Sequence, residues 1–297
     1  MRSGCALRHR QRGREPEDNA RQPDRCRSRS RARANAHGAP TAPGRQHVQR
    51  YDTLRRIGKR ISGHPNPGCD IDDIDKARRK LTVEGNIDSI VWNEFFPNQN
   101  AGVMVEIGAG RPDFLSIGAQ FRSKGWRVIS IEPNPDFAQK HRELGHEILE
   151  YACSDVDADN VDFVVAEARS LLSYYGGTVT AESFSSLGVR GKYKDMLTNI
   201  SEKFALRTIK VSARKLDTIL AGLQRIEKID VLAADVEGWE LECLAGFSFG
   251  ALAPKVAIIE NLFQDTSYHD FMRERGYKLW RVFEPNDVYV LDSALRS

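Results

Sequence analysis

From residue 103 onward the chain alternates short apolar runs with amphipathic ones, and that alternation restricts the fold more than any other feature. Strand-like runs occupy 103–107, 127–131, 147–152, 161–165, 208–212, 229–233, 255–259, 278–283 and 288–291. Apolar residues at helical spacing fill 114–124, 136–144, 216–223, 239–244 and 266–275 between many of them. Short strands interleaved with helices imply a parallel sheet whose crossovers cover its faces. The last two runs differ. Only 284–287 separate them, too few residues for a crossover, so they read as a hairpin and the sheet should end in an antiparallel pair.

The first hundred residues have a different character. Residues 1–50 hold 13 arginines, no lysine and four acids, a net +9; the remaining 31 bases and 37 acids leave −6, so the formal charge of +3 describes neither part. Almost without aliphatic side chains, this segment cannot bury enough apolar surface to offset its ordering entropy, which predicts a disordered tail. RSRSRARA at 27–34 has the charge of a nucleic-acid arm, but no aromatic residues are interleaved to stack on bases, and nucleic acid is not the expected partner. Apolar spacing at 51–61, 71–81 and 86–96, with a Gly- and Pro-rich break at 63–68, predicts an N-terminal helical cap over 51–100 ahead of a main domain at 101–297.

The five cysteines (Cys5, Cys26, Cys69, Cys153 and Cys243) form no CxxC pair and are odd in number. That argues against a disulfide framework or a structural zinc. No apolar run approaches the ~18 residues of a membrane span, and the N-terminus lacks the apolar region of a secretory signal. The expectation is a soluble, cytoplasmic protein without membrane contact.

VEIGAG at 105–110 ends the first of these strands just before a helical pattern. Gly108 and Gly110, with Ala109 between them, permit a tight turn and let backbone N–H groups approach a ligand. Pro112 suits the first position of the following helix. The next strand ends in Glu132, 22 residues beyond Gly110, where an acid can accept from both ribose hydroxyls of an adenosine. The third strand runs into ACSD at 152–155, placing Asp155 where it could accept from an adenine amino group. Strand 229–233 delivers Asp235 and Glu237 to its carboxyl end, the rim where open α/β sheets bind ligands. Gly238 frees the turn into a helix whose Leu241, Leu244 and Ala245 can face the sheet, while Glu237 and Glu240 can complement its N-terminus. VAIIEN at 256–261 puts Glu260 and Asn261 on the same rim.

In order and spacing, VEIGAG, ISIEPNP at 129–135, ACSD, RKLDTIL at 214–220 and DVEGWELECLAGF at 235–247 resemble the FkbM family of methyltransferases, over about residues 100–265. The last element is the most specific. The resemblance implies a Rossmann-like class I methyltransferase fold: α/β, with a mostly parallel seven-stranded sheet that ends in an antiparallel hairpin. It implies S-adenosyl-L-methionine as cofactor and O-methylation of a hydroxyl on a sugar, glycan or natural product. By that match Glu106, Gly108, Glu132, Asp155 and Asp235 fall on cofactor-site positions, with Ala109, Gly110, Asn134 and Ser154 beside them. Three positions depart from the family pattern: Gly110 and Pro112 stand where Asn and Gly are usual, and Ala233 where Lys is common.

A hydroxyl acceptor must lose its proton as the new bond forms, and a rim carboxylate can take it. Asp235 and Glu237 are the candidate catalytic acids, with Glu260 behind them. Trp239 could wall the cofactor pocket. The seven histidines include no HxxxH and no His/Asp cluster that would support an obligatory metal; His269, beside Asp270, is more simply a surface helix residue. An NAD-dependent Rossmann enzyme would share the glycine turn and the distant acid, but the closing hairpin and the DVEG element favour a methyltransferase. A nucleic-acid methylase rests on the basic tail alone, and VAIIEN lacks the NPPY pattern of many base methylases.

Overall fold

The computed structural model of the chain describes residues 86–168, 172–174, 177–179, 184–200, 204–224 and 226–295. The tail at 1–50 and the helices expected at 51–61 and 71–81 lie outside the described residues. In chain order the elements are α1 (Ile87–Phe95), β1 (Val103–Ile107), α2 (Gly118–Ser123), β2 (Arg127–Ile131), α3 (Pro135–Glu143), β3 (Glu147–Leu149), β4 (Ala152–Cys153) and β5 (Ala158–Ala168). Then follow β6 (Leu172–Tyr174), β7 (Gly177–Val179), α4 (Gly191–Ile200), β8 (Phe204–Arg214), α5 (Leu216–Ala221) and β9 (Val231–Ala234). The chain continues through α6 (Glu240–Ala245), β10 (Val256–Glu260), α7 (Thr266–Glu274), β11 (Tyr277–Phe283) and β12 (Asn286–Leu291).

Seven strands form the main sheet in the order β11-β12-β10-β9-β1-β2-β3. Pairing is parallel from β10 through β9, β1 and β2 to β3, and antiparallel where β12 meets β10 and β11. This is the Rossmann-like class I methyltransferase arrangement. Its order reverses at β1, so the carboxyl ends of β1, β2 and β9 open a crevice between them. Alternation along the strands sorts the core onto two faces. Val105, Ile107, Ile129, Leu232 and Ile259 pack with Leu216, Leu244 and Met272 of α5, α6 and α7. Met104, Val128, Val231 and Ile258 pack with α1 and α2, around Trp92, Phe121 and Trp126. Trp92 meets Phe121 and Trp126 edge-on at 5.9 and 5.3 Å between ring centroids, each contact worth about 0.5–1.5 kcal/mol beyond area burial. The described end of the expected cap is thus part of the core, and Lys255 Nζ secures it by donating to the Phe95 carbonyl at 3.1 Å.

Several local expectations are corrected. The run at 147–152 breaks: β3 stops at Leu149, and β4 pairs with β8 in a separate three-stranded sheet, β4-β8-β5. The strands expected at 161–165 and 208–212 belong to that sheet as a long antiparallel pair. Asp162 and Lys210 sit opposite each other between apolar neighbours and are exposed, a pattern that suits one solvated face and not a parallel sheet covered on both sides. Pro112 lies in a turn, and α2 starts later, at Gly118. In α6 the buried residues are Glu240, Cys243 and Leu244, while Ala245 is exposed. Helix α4 and the β6–β7 hairpin were not anticipated. Among the described residues no helix is long and apolar enough to cross a membrane.

Candidate active site

A cleft of about 1130 Å³, counting the solvent space at its mouth, lies over the carboxyl ends of β1, β2, β9 and β10. One wall is the glycine turn. Gly108 and Ala109 both direct their N–H groups to the Ile131 carbonyl, at 3.0 and 3.2 Å, while the Asp235 N–H donates to the Ile107 carbonyl at 3.1 Å. The turn is therefore pinned by the strands on both sides of it. Gly108 has φ +73°, and a Cβ there would stand 1.7 Å from the Asp235 carbonyl oxygen. No other residue fits.

Glu132 enters the same cleft from the end of β2, buried at 5% exposure. Its carboxylate accepts from the Gly110 N–H through Oε2 and the Asn134 N–H through Oε1, both at 2.8 Å. Burial pushes this carboxyl up to about 7, against the pull of those two bonds. Each oxygen keeps a further lone pair, so the group can still accept from a diol.

Of the predicted site residues, Gly108, Ala109, Gly110, Glu132, Asp235 and Glu237 line the cleft. Glu106, Asn134, Ser154 and Asp155 do not. Strand alternation turns Glu106 to the α2 face, where it accepts from Gly118 N (2.7 Å), Ser116 Oγ (3.0 Å) and Arg122 Nη2 (2.9 Å). It fixes the start of α2. The Asn134 side chain caps α3 by accepting from Asp136 N at 3.1 Å. Ser154 is buried, its N–H bonded to the Arg214 carbonyl at 3.0 Å. Asp155 is exposed and accepts only a 3.1 Å bond from the Ser154 hydroxyl among its described contacts; it lies just past Tyr151, Ala152 and Cys153, which do line the cleft.

The opposite wall is acidic. Asp235 follows β9, Glu237 sits in left-handed backbone at φ +57°, and Glu260 ends β10. A non-glycine residue in that conformation costs roughly 1–2 kcal/mol, and such strain clusters at functional sites. Glu240 lies beneath: its Oε1 accepts from Val236 N and Gly238 N at 3.0 Å each, and its Oε2 from Tyr268 OH at 2.7 Å. It is a brace for the turn, and burial raises its carboxyl. One oxygen from each of Asp235, Glu240 and Glu260 lies within 4.8 Å of the other two, a set that could hold a metal ion. Sequence reasoning, which looked for histidine and cysteine spacing, did not find this cluster.

Sequence reasoning also missed the roof. Phe184, Ser185 and Leu187 line the cleft from the segment before α4. Ser186 exchanges backbone bonds with Val164 of β5 at 2.8 and 3.0 Å. On the other side Trp239 Nε1 donates to the Gly188 carbonyl at 2.9 Å, and the Arg190 guanidinium lies 3.7 Å over the Trp239 ring while donating to the Gly238 carbonyl. Tyr193 of α4 donates to Glu260 Oε2 at 2.6 Å. Its ring fills the space beside Gly238, where a Cβ would come within 2.6 Å. None of these partners is close in sequence, so no local pattern announces them.

A sequence model of the methyltransferase FkbM domain matches residues 106–279, more than half of the chain. The chain belongs to the FkbM methyltransferase family. The span of this family's domain takes in the glycine turn, Glu132, the inserted second sheet and the acidic rim, and stops inside β11. The FkbM-family chain is also similar to two solved structures. One is described as a candidate O-methyltransferase from Klebsiella pneumoniae, with 10% identity, 85% of this chain and 91% of that one covered, and a TM-score of 0.33. The other is cofactor-bound Rv0187 from MTB, with 9% identity, 82% and 90% coverage, and a TM-score of 0.30. No curated protein sequence gives a significant match.

Proposed function

We propose that this FkbM-family methyltransferase uses S-adenosyl-L-methionine to methylate a hydroxyl of a sugar, glycan or natural product. The observation that carries the reading is the meeting of the Gly108 turn and the buried Glu132 carboxylate in one cleft, opposite the acids Asp235, Glu237 and Glu260. A side chain at 108 would collide with the Asp235 main chain and break the turn that offers its backbone to a ligand, and a carboxylate at 132 suits a ribose diol. Gly108, Ala109, Gly110 and Glu132 would hold the cofactor, with Asp235 on the seam. When bound, S-adenosyl-L-methionine supplies a methyl group activated by a sulfonium.

The protein's own work is alignment and proton removal. Holding acceptor and donor in line supplies several kcal/mol, about 7–11 in the best intramolecular cases. Asp235 or Glu237 takes the acceptor's proton, and Glu260, held by Tyr193, stands behind them. The crowding of carboxylates also disfavours an anionic acceptor by like-charge repulsion. In calorimetry the purified protein should bind S-adenosylmethionine and S-adenosylhomocysteine, and Glu132→Ala should weaken both roughly ten- to a hundredfold, the value of charge-assisted bonds worth about 1.5–3 kcal/mol. Tight NAD binding with no S-adenosylmethionine binding would overturn the reading.

A further inference from the structure

His141 lies on the inner face of α3 with 0% exposure, and nothing in the proposed chemistry uses it. A buried imidazole needs partners for both ring nitrogens. Here Nε2 lies 3.1 Å from the Gly110 carbonyl oxygen, and Nδ1 lies 3.1 Å from Nδ1 of the half-buried His146. A carbonyl only accepts, so Nε2 carries the proton; the bare Nδ1 then takes the Nδ1–H of His146. The ring is neutral, because burial drives His141 down to about 4, with Glu106 and Arg122 acting on it in opposite directions.

Gly110 is the hinge of this arrangement. It has φ +55°, and only the Gly108 carbonyl, at 4.0 Å, comes near the place a Cβ would occupy. No neighbour fills the space beside its α-carbon, and hydrogen bonds fix the peptide groups on either side. Its carbonyl takes the His141 Nε2–H at 3.1 Å, and its own N–H goes to Glu132 Oε2 at 2.8 Å. The two peptide planes flanking its α-carbon are thus fixed from opposite directions. We propose that His141 is a positioning residue for the cofactor: by holding the Gly110 carbonyl it sets the glycine turn and aims the Glu132 carboxylate at the ribose. The proposal rests on the cofactor reading given above.

The test is a double-mutant cycle read as S-adenosylhomocysteine affinity by calorimetry. His141→Leu removes the donor and should weaken binding roughly three- to tenfold, the value of one neutral hydrogen bond. His141→Gln carries an amide nitrogen near the height of Nε2 and should bind within about twofold of the wild type. In a Glu132→Gln background the leucine substitution should cost less than about twofold, since the group it aims has lost its charge. Should His141→Leu fail to fold, His141→Asn takes its place, because its amide is too short to reach Gly110. Equal losses in both backgrounds, or no loss in either, would overturn the inference. A wild-type protein that does not bind S-adenosylhomocysteine would overturn the cofactor reading, and this inference with it.

Discussion

The two walls of the cleft are built by different means. The wall of the glycine turn is local: Glu132 meets Asn134 two residues away and Gly110 22 away, and His141 meets Gly110 31 away. All of it lies in one strand–helix–strand–helix stretch. The acidic wall is assembled from afar. Arg190 reaches Gly238 across 48 residues, Trp239 reaches Gly188 across 51, and Tyr193 reaches Glu260 across 67. A ligand that every relative must bind can be held by turn chemistry written into one segment. On the proposed reading, a wall that discriminates among acceptors draws on side chains from outside that segment, here residues 184–193.

If that division is functional, Asp235→Asn separates the two walls most sharply. The substitution keeps the shape and removes the charge and most of the basicity. With Asp235 as general base, kcat on an acceptor that the wild type methylates should fall about 10²–10⁴-fold, while S-adenosylhomocysteine affinity measured by calorimetry changes little. Weaker cofactor binding with turnover restored at saturation would instead assign Asp235 to the glycine wall. The parallel Glu237→Gln variant tells the two acids apart.

Gly108→Ala attacks the seam where the walls touch. Its methyl group would meet the Asp235 carbonyl oxygen at 1.7 Å, in left-handed backbone. Left-handed strain of roughly 1–2 kcal/mol and overpacking of roughly 1–3 kcal/mol together predict a loss of about 2–5 kcal/mol. Urea denaturation should show it as a lower midpoint with unchanged slope. A near-wild-type midpoint would mean that the walls can part without cost, and the picture of a shared seam would fail.

The same division governs what could be read from the sequence. Strand periodicity placed β1 and β2 at their observed limits, and the four-residue gap at 284–287 revealed the closing hairpin. Glu132 was legible because a glycine turn and a strand-ending acid keep a fixed spacing. Glu106 was misplaced because a motif names a position and not a face, and strand alternation sent it to α2. Asp155 lies outside the cleft although Tyr151, Ala152 and Cys153 line it, and nothing local tells which residues of that run face inward. Tyr193, Arg190 and the acid cluster around Glu240 depend on tertiary contacts alone. His141 lies in the helical run at 136–144, but its partner is a backbone carbonyl 31 residues away.

The smallest expected effect concerns protons, and it bears on the glycine wall only. The Glu132 carboxyl is raised by burial from 4.5 to about 7. If ribose hydroxyls donate to its ionised form, binding should release a proton, and S-adenosylhomocysteine affinity should fall about tenfold, or about 1.4 kcal/mol, between pH 8 and pH 6. Stability carries a different sign. Between 4.5 and about 7 the folded protein holds a proton on Glu132 that the unfolded chain has lost, so this group's contribution is full below 4.5 and is lost as pH rises through 7. His141, depressed from 6.5 to about 4, contributes fully above 6.5 and loses its contribution as pH falls toward 4. From 4.5 to 6.5 the two slopes oppose each other, so the pair should move the melting midpoint little while cofactor affinity still falls. Calorimetry from pH 6 to 8, in buffers of different ionisation heat, measures both the affinity and the proton release, and Glu132→Gln should show neither dependence. An affinity flat across that range in the wild type would mean that Glu132 does not receive the ribose. The glycine wall would then hold its ligand through the backbone of residues 108–110, and the fixed acid at the end of β2 would be a brace for that turn.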